Sequence, residues 1–161
     1  LEMKKFNKNK SLKLEFLLEE EPKDSMVIAT PFKENKKAFY YNQKIIGMKA
    51  SGYVLYDDKK IEFSKDDTLG LLDWGRGVWT YKNTWYWGAG QGYVNNKLVG
   101  FNIGYGFGDT SNATENMIFV EGISHKLDEV TFNIPKNEKG KVLQNKSPVS
   151  VHSQKQNIGA T

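Results

Sequence analysis

Residues 73–108 read DWGRGVWTYKNTWYWGAGQGYVNNKLVGFNIGYGFG, and this stretch decides the predicted fold. It contains all four tryptophans of the chain, and ten of the fifteen glycines fall between Gly70 and Gly108. Large rings beside residues without a Cβ atom are typical of a curved sheet, or of a backbone that a ligand approaches closely. The alternative is a small aromatic core in which glycines relieve crowding. We therefore expect strands here, built around a Trp- and Gly-rich pocket or core.

A period of two extends through most of the chain and predicts an all-β fold. Asn95-Asn96 predicts a two-residue turn, because asparagine tolerates a positive φ. No run shows a helical period for more than two turns. Strands are predicted at 26–30, 38–41, 52–56, 60–63, 78–88, 92–94, 98–107, 117–120, 123–125 and 130–134, with an alternating run at 12–16. Many short strands at short spacing favour a barrel or a sandwich over a sheet of βαβ units, and we predict an antiparallel β-barrel or a curled sheet.

The two ends of the chain differ in composition from its middle. Residues 1–13 and 136–161 each contain five lysines and one acidic residue, which leaves 13 basic and 17 acidic residues between them. The middle is therefore net negative, although the whole chain carries +4. Low apolar content predicts a disordered basic segment at 1–11, a β domain at 12–135 and a disordered tail at 136–161. Because the cations lie in these ends, nucleic acid is not an expected partner.

Several classes of protein are excluded by what the sequence lacks. Cysteine is absent, which excludes disulfides, thiol catalysis and cysteine metal ligands, and fits a cytoplasmic location. No eighteen apolar residues run together, so no membrane-spanning helix is expected, and the first ten residues lack the apolar stretch of a signal peptide. His125 and His152 lie far apart, and no phosphate or dinucleotide motif occurs, so neither a metal nor a cofactor is expected.

Arg76 is the single arginine of a chain with 22 lysines. Its planar fork of five donors suits a carboxylate or phosphate headgroup, and Trp74 or Trp79 could take it as a cation–π partner. The alternative is a buried ion pair with Asp73 or another acidic residue. We favour the ion pair, because a cation among aromatic residues needs a partner.

The loop GDTSNATEN, residues 108–116, carries Asp109 and Glu115. Two carboxyl groups beside an apolar pocket can supply general acid and base chemistry if burial raises the pKa of one of them. Asp109 otherwise suits a turn in which its side chain accepts a hydrogen bond from a following backbone N–H. The turn is the favoured interpretation of Asp109.

Several segments resemble the bacterial family called domain of unknown function 2804. They are DWGRGVWTYKNTWYWG, GFNIGYGFGDTSNATENM and HKLDEVTFNIP, with ATPF and KAFYYNQKIIGMKASG upstream, over about residues 25–135. The resemblance implies a β-barrel-type relationship to lipocalin-like proteins and, more loosely, to carotenoid hydratases and tocopherol cyclases. No activity is assigned to the family, so no catalytic residue follows from it.

We therefore predict a lipocalin-like module that binds a hydrophobic small molecule in a Trp- and Gly-rich pocket. One alternative is a hydratase- or cyclase-like enzyme acting on a terpenoid or lipid-like alkene, with Asp73, Asp109 or Glu115 delivering a proton. Another is a structural β domain without a small ligand. Open strand edges would allow self-association. The predicted ligand-binding residues are Asp73, Trp74, Arg76, Trp79, Trp85, Trp87, Asn102, Tyr105, Asp109 and Glu115.

Overall fold

A computed structural model describes residues 1–19, 22–127 and 129–133 with their side chains, and the backbone of residues 150–154. The described residues form twelve strands and no helix, so none of them belongs to a helix that could cross a membrane. The strands are β1 (Glu2–Asn7), β2 (Lys10–Glu19), β3 (Met26–Phe32), β4 (Asn35–Tyr56), β5 (Lys59–Phe63), β6 (Leu69–Val78), β7 (Tyr86–Val94), β8 (Lys97–Tyr105), β9 (Met117–Val120), β10 (Ile123–Lys126), β11 (Glu129–Asn133) and β12 (Ser150–Gln154).

The larger sheet is organised around β4, which is 22 residues long. Its first half pairs with β3 on one side and β6 on the other, and its second half pairs with β2 and β5. The pairing with β6 slips by one residue between Ile46 and Met48, where Gly47 has a φ of 96°. This bulge lets one strand serve two pairs of neighbours, because the extra residue bends the strand and increases its twist.

The smaller sheet is an antiparallel meander in the order β10-β9-β8-β7. The turn between β7 and β8 is Asn95-Asn96, with φ values of 50° and 61°, as the sequence predicts. Glu121-Gly122 joins β9 to β10 with φ values of 52° and 77°. Positive φ at both central residues matches the twist of the flanking strands. A separate two-stranded ladder joins β11 to β12.

The two large sheets pack face to face around a small core. Met26 of β3, Ile46 of β4 and Phe119 of β9 are buried together, with partly buried apolar side chains around them. Gln91 of β7 also bridges the sheets, because its Oε1 accepts a hydrogen bond of 2.7 Å from the backbone N–H of Gly47. The arrangement is therefore two open sheets with a shared inner face.

The all-β, antiparallel fold is confirmed, but the described sheets do not close into a barrel. The six-stranded and four-stranded sheets share no ladder of hydrogen bonds in the described part of the chain. The sequence pattern does not distinguish these arrangements, because strands that line a barrel and strands that line a sandwich show the same alternation. A lipocalin-like relationship and self-association through strand edges stay predictions.

The amino terminus differs from the expected disordered segment at 1–11. Residues Glu2–Asn7 form β1 and pair with β2. Lys8 and Asn9 turn the chain with φ values of 45° and 70°, which brings Met3 opposite Leu12. Composition suggested disorder, but a turn of this type specifies a hairpin locally. Within the expected tail, only the pairing of 150–154 with β11 falls among the described residues.

The predicted strand at 78–88 is wrong, because residues 79–85 connect β6 to β7. Aromatic residues at positions 79, 81, 85 and 87 imitate the alternation of a strand there. The chain turns instead at Thr80 and Asn83, whose side chains hydrogen-bond to each other, while the Asn83 amide also donates to the Thr80 carbonyl. Conversely, the predicted strands at 38–41 and 52–56 are parts of one strand, β4, because the bulge at Gly47 interrupts its alternation.

Gly52 of β4 pairs with β2 on one side and β5 on the other, so a substitution there tests how closely these strands pack. Its φ is 154°, and an added Cβ would overlap the carbonyl oxygen of Glu15. We expect Gly52→Ala to lower the free energy of unfolding by about 2–4 kcal/mol, measured by chemical denaturation. Gly92→Ala is the matched control on β7, because nothing lies within 4 Å of its added Cβ. Equal effects of the two substitutions would contradict this account of Gly52.

Asp24 links the two sheets and should make part of the stability depend on pH. The backbone N–H and the hydroxyl of Ser124 donate to Asp24 Oδ2 at 2.7 Å and 3.1 Å. These hydrogen bonds hold the pKa of Asp24 below its ordinary value of 3.8, and the bond from the backbone N–H has the larger effect. A lowered folded-state pKa gives stability that is present above 3.8 and lost as the pH falls through the folded value.

We therefore expect Asp24→Asn to lower the thermal midpoint at pH 7, and to lower it less at pH 3 and below. Asp58→Asn, in the exposed turn between β4 and β5, serves as the control and should leave the midpoint unchanged. A midpoint difference between wild type and Asp24→Asn that is the same at every pH would count against the charged hydrogen bond.

Candidate functional site

The register of β4 against β6 sorts their side chains into two faces. Lys44 lies opposite Asp73, Asn42 opposite Gly75, and Tyr40 opposite Gly77. Directly paired residues point to the same side of a sheet. One side, toward the smaller sheet, therefore carries Tyr40, Asn42, Lys44 and Asp73, with two glycines that leave space. We call this side the inner face.

Lys44 is the centre of the inner face. Its side chain is only 3 % exposed, and its Nζ lies 2.6 Å from Asp73 Oδ1 and 3.8 Å from Glu115 Oε2. The Nζ also donates to Asn42 Oδ1 at 3.4 Å and lies 4.7 Å from the centre of the Trp87 ring. A buried ammonium is costly unless its charge is balanced and its donors are used. Here two carboxylates, an amide and an aromatic face meet that requirement.

Asn102 of β8 connects this cluster to the smaller sheet. It is fully buried; its Oδ1 accepts from Trp87 Nε1 at 2.8 Å, and its Nδ2 donates to Glu115 Oε2 at 2.9 Å. The same Nδ2 donates to the Glu115 carbonyl at 2.8 Å, and Asn116 Oδ1 accepts from the Gly104 N–H at 2.7 Å. Asn102 therefore fixes the orientation of the Trp87 ring, while both asparagines hold the loop that carries Glu115.

Two glycines make room for the side chains of Tyr40 and Glu115. A Cβ at Gly75 would come within 2.5 Å of the Tyr40 ring. A Cβ at Gly104 would overlap the Glu115 carboxylate. At two glycines of the 73–108 segment, a side chain from another element thus occupies the place that a Cβ would take.

Aromatic rings form the walls of a cavity above the polar cluster. Phe107 is central, since its ring centre lies 4.9 Å from that of Tyr40, 5.1 Å from Trp85 and 6.1 Å from Trp79. The cavity has a volume of about 230 Å³ and is open to solvent on one side. Its lining residues are Tyr40, Asn42, Lys44, Asp73, Trp79, Trp85, Trp87, Phe107 and Glu115. We call it the aromatic pocket.

The Tyr40 hydroxyl lies in a negative environment. Partial burial raises the pKa of Tyr40, and the nearby carboxylates of Asp73 and Glu115 raise it further. All three effects disfavour the phenolate. The aromatic pocket thus offers a neutral phenol beside carboxylates.

Five of the ten predicted ligand-binding residues line the aromatic pocket, and Asn102 lies directly beneath it. The five are Asp73, Trp79, Trp85, Trp87 and Glu115. Trp79 and Trp85 lie on the connection between β6 and β7 rather than on one strand. The split of the predicted 78–88 strand is therefore what lets both rings reach one cavity.

Trp74 and Arg76 do not reach this pocket. They alternate with Asp73 and Gly75 on β6, so they lie on the outer face, where Trp74 packs against Tyr41 at 6.0 Å between ring centres. Arg76 is exposed and forms no salt bridge with a described residue. The predicted buried ion pair of Arg76 with Asp73 is wrong, because Lys44 lies directly opposite Asp73 and occupies that carboxylate.

Tyr105 and Asp109 line a separate polar groove of about 600 Å³. Asp109 accepts from the Ser111 N–H at 3.1 Å and lies 3.4 Å from Lys33 Nζ. Hydrogen bonds from Ser111, together with Lys33, lower the pKa of Asp109. Asp109 thus has the geometry of the turn residue that the sequence favours, and it does not face the tryptophans of the aromatic pocket.

Sequence reasoning missed Tyr40, Asn42 and Lys44, which supply the polar and phenolic part of the pocket. The local signal was limited to spacing, because residues 40, 42 and 44 share a face in an extended chain that continues into Ile45 and Ile46. Polar residues occupy both faces at 42–44, so the alternation alone does not show which face is buried.

Comparison with known proteins assigns the chain to a family. The model of the family described as Domain of unknown function (DUF2804) matches residues 1–160. The chain belongs to this family. No curated protein and no solved structure matches it. The match extends beyond the 25–135 region of the resemblance seen in the sequence, so the DUF2804 assignment covers both sheets and every residue of the aromatic pocket.

Lys44 gives the sharpest test of how this DUF2804 pocket is held together. We expect Lys44→Met to lower the free energy of unfolding by about 2–4 kcal/mol, because it leaves Asp73 and Glu115 without their shared cation. Lys60→Met is the control, since Lys60 Nζ also lies 2.6 Å from a carboxylate, that of Glu62, but both side chains are exposed. Exposed pairs contribute little. Chemical denaturation that shows similar losses for both variants would contradict a buried, structural Lys44.

Proposed function

We propose that this DUF2804 domain is a binding module that holds a small hydrophobic molecule, or the hydrophobic end of a larger one, in the aromatic pocket. The observation that carries the proposal is the convergence of five rings above a fixed polar cluster at one cavity. Apolar walls with a few placed polar groups are the usual composition of a small-molecule site. Trp79 is 50 % exposed and Trp85 is 54 % exposed, so both have apolar surface that a ligand could cover.

The size of the pocket limits what it can hold. About 230 Å³ is below the roughly 300–1,000 Å³ typical of sites for drug-sized ligands. A long polyisoprenoid would therefore enter with one end only, through the open side. The proposal concerns a compact apolar group carrying a polar substituent that meets the cluster around Lys44.

The enzymatic alternative is supported less well by the same site. Protonating an alkene requires a carboxyl group that carries its proton, and Asp73 and Glu115 both lie within 4.0 Å of the Lys44 ammonium. Asp73 Oδ1 accepts a hydrogen bond from Lys44 Nζ at 2.6 Å and Glu115 Oε2 accepts one from Asn102 Nδ2 at 2.9 Å, so both oxygens are already engaged with protein donors. Asp109, the third predicted proton donor, lines the other groove. Binding without chemistry is therefore the function that we propose.

The four tryptophans provide a test with an internal control. In a ¹⁵N-labelled sample their indole N–H groups give separate resonances, which single Trp→Phe variants assign. We expect titration with cyclohexylmethanol to shift the resonances of Trp79, Trp85 and Trp87. The resonance of Trp74 should stay in place, because Trp74 lies on the outer face of β6.

A pair of variants then measures how much the Trp85 side chain, one wall of the pocket, contributes to the affinity. Trp85→Ala should weaken binding of the same alcohol by about tenfold or more, because it removes a large apolar contact surface. Trp74→Ala is the matched control and should leave the affinity unchanged. Shifts at Trp74 as large as those at the three pocket residues, or no shifts at all, would contradict the proposal.

A further inference from the structure

The charges in the aromatic pocket do not cancel. Among the described residues that line it, Lys44 is the only cation, and Asp73 and Glu115 are two anions. Arg76, the cation of β6, lies on the opposite face of that strand and does not line the pocket. The described residues that line the pocket therefore carry a formal net charge of −1 when Tyr40 is neutral.

The uncompensated charge is accessible, whereas the cation is not. The side chains of Asp73 and Glu115 are 39 % and 18 % exposed, but that of Lys44 is 3 % exposed. The ammonium already donates to Asp73 and Asn42 and lies over the Trp87 ring. An entering ligand thus meets carboxylate oxygens and not ammonium donors, which favours a positive group and disfavours an anionic one.

The walls suit a positive group as well. The faces of tryptophan, tyrosine and phenylalanine rings attract cations within about 6 Å, and cages of such rings bind alkylated ammonium groups. Lys44 over Trp87 shows the same attraction inside the protein. Tyr40, Trp79, Trp85 and Phe107 supply further rings around the open part of the cavity.

We infer that the ligand of the aromatic pocket is an organic cation, an alkyl-substituted ammonium that bears an apolar group. The inference rests on the proposed function and adds the sign of the ligand's charge. Trp79, Trp85 and Phe107 contact its alkyl groups, and Asp73 and Glu115 balance its charge. Burial and, after it, the nearby carboxylates of Asp73 and Glu115 raise the pKa of Tyr40, and the second of these causes agrees with the same negative potential.

Three probes of similar size separate charge from shape. Benzyltrimethylammonium is the cation, neopentylbenzene is its neutral isostere, and phenylacetate is an aromatic anion. Each is titrated into the full chain at low salt, with the indole resonances as the readout. We expect the cation to bind about tenfold more tightly than the neutral isostere, and phenylacetate to bind most weakly.

Variants that each remove one negative charge test which carboxylates cause the preference for a cation. Glu115→Gln keeps the shape of the side chain and its ability to accept from Asn102, and should reduce the ratio of cation to neutral affinity several-fold. Asp73→Asn should act in the same direction, and provides a second test if Glu115→Gln does not fold. Glu62→Gln, on exposed β5, removes the same charge away from the pocket and should leave the ratio unchanged.

The outcomes distinguish this inference from the proposed function. If neopentylbenzene binds as tightly as the cation, or phenylacetate binds more tightly, the cation inference is overturned while the pocket stands as a small-molecule site. If no probe moves the indole resonances, the proposed function fails and the inference fails with it. An unchanged affinity ratio in folded Glu115→Gln and Asp73→Asn overturns the assignment of the charge to these two carboxylates.

Discussion

The structure of the pocket depends on one buried ammonium group, that of Lys44. Its partners come from different parts of the chain: Asn42 from its own strand, Asp73 from β6, Trp87 from β7 and Glu115 from the loop before β9. Removing a charge from water is costly, so such a group persists only where several elements satisfy it together. The cation thus couples the two sheets at the place where the apolar core, formed by Met26, Ile46 and Phe119, gives way to the cavity.

Glycines on the inner face leave room for side chains that come from other elements. Gly75 and Gly104 stand where side chains of other elements, Tyr40 and Glu115, occupy the place of a Cβ. The same register places the bulky residues of β8, such as Phe101, on the outer face. A strand that alternates large rings with glycine and asparagine would ordinarily be expected to bury its rings. In this protein it is the small and polar face that points inward, because the space it leaves is filled from β4 and from the Glu115 loop.

The sequence predicts the fold class and the local turns better than it predicts which strands pair with each other. The all-β class, the Asn95-Asn96 turn and the tryptophans of the pocket follow from local patterns, since periodicity and turn chemistry depend on neighbouring residues. The strand at 78–88 and the disordered segment at 1–11 do not match the structure, and the described sheets are open, which rejects the closed barrel as one of the two predicted arrangements. These depend on which strands pair and where a turn interrupts an aromatic alternation, and that information lies in contacts between distant residues. Lys44 was missed for the same reason, because its importance comes from Asp73 and Glu115, 29 and 71 positions away.

The contrast between Arg76 and Lys44 shows why rarity in the sequence was a poor guide to the cation that lines the pocket. A single arginine among 22 lysines suggests a special role, yet its position on β6 alternates with that of Asp73 and directs it outward. The inner position opposite Asp73 belongs to a lysine, whose compact ammonium can direct its three donors to partners in different directions. A planar guanidinium fork suits one bidentate carboxylate, whereas the partners here are two carboxylates, an amide and a ring face. The geometry of the cluster fits lysine, and the burial of Lys44 leaves the two carboxylates as the more exposed charges of the pocket.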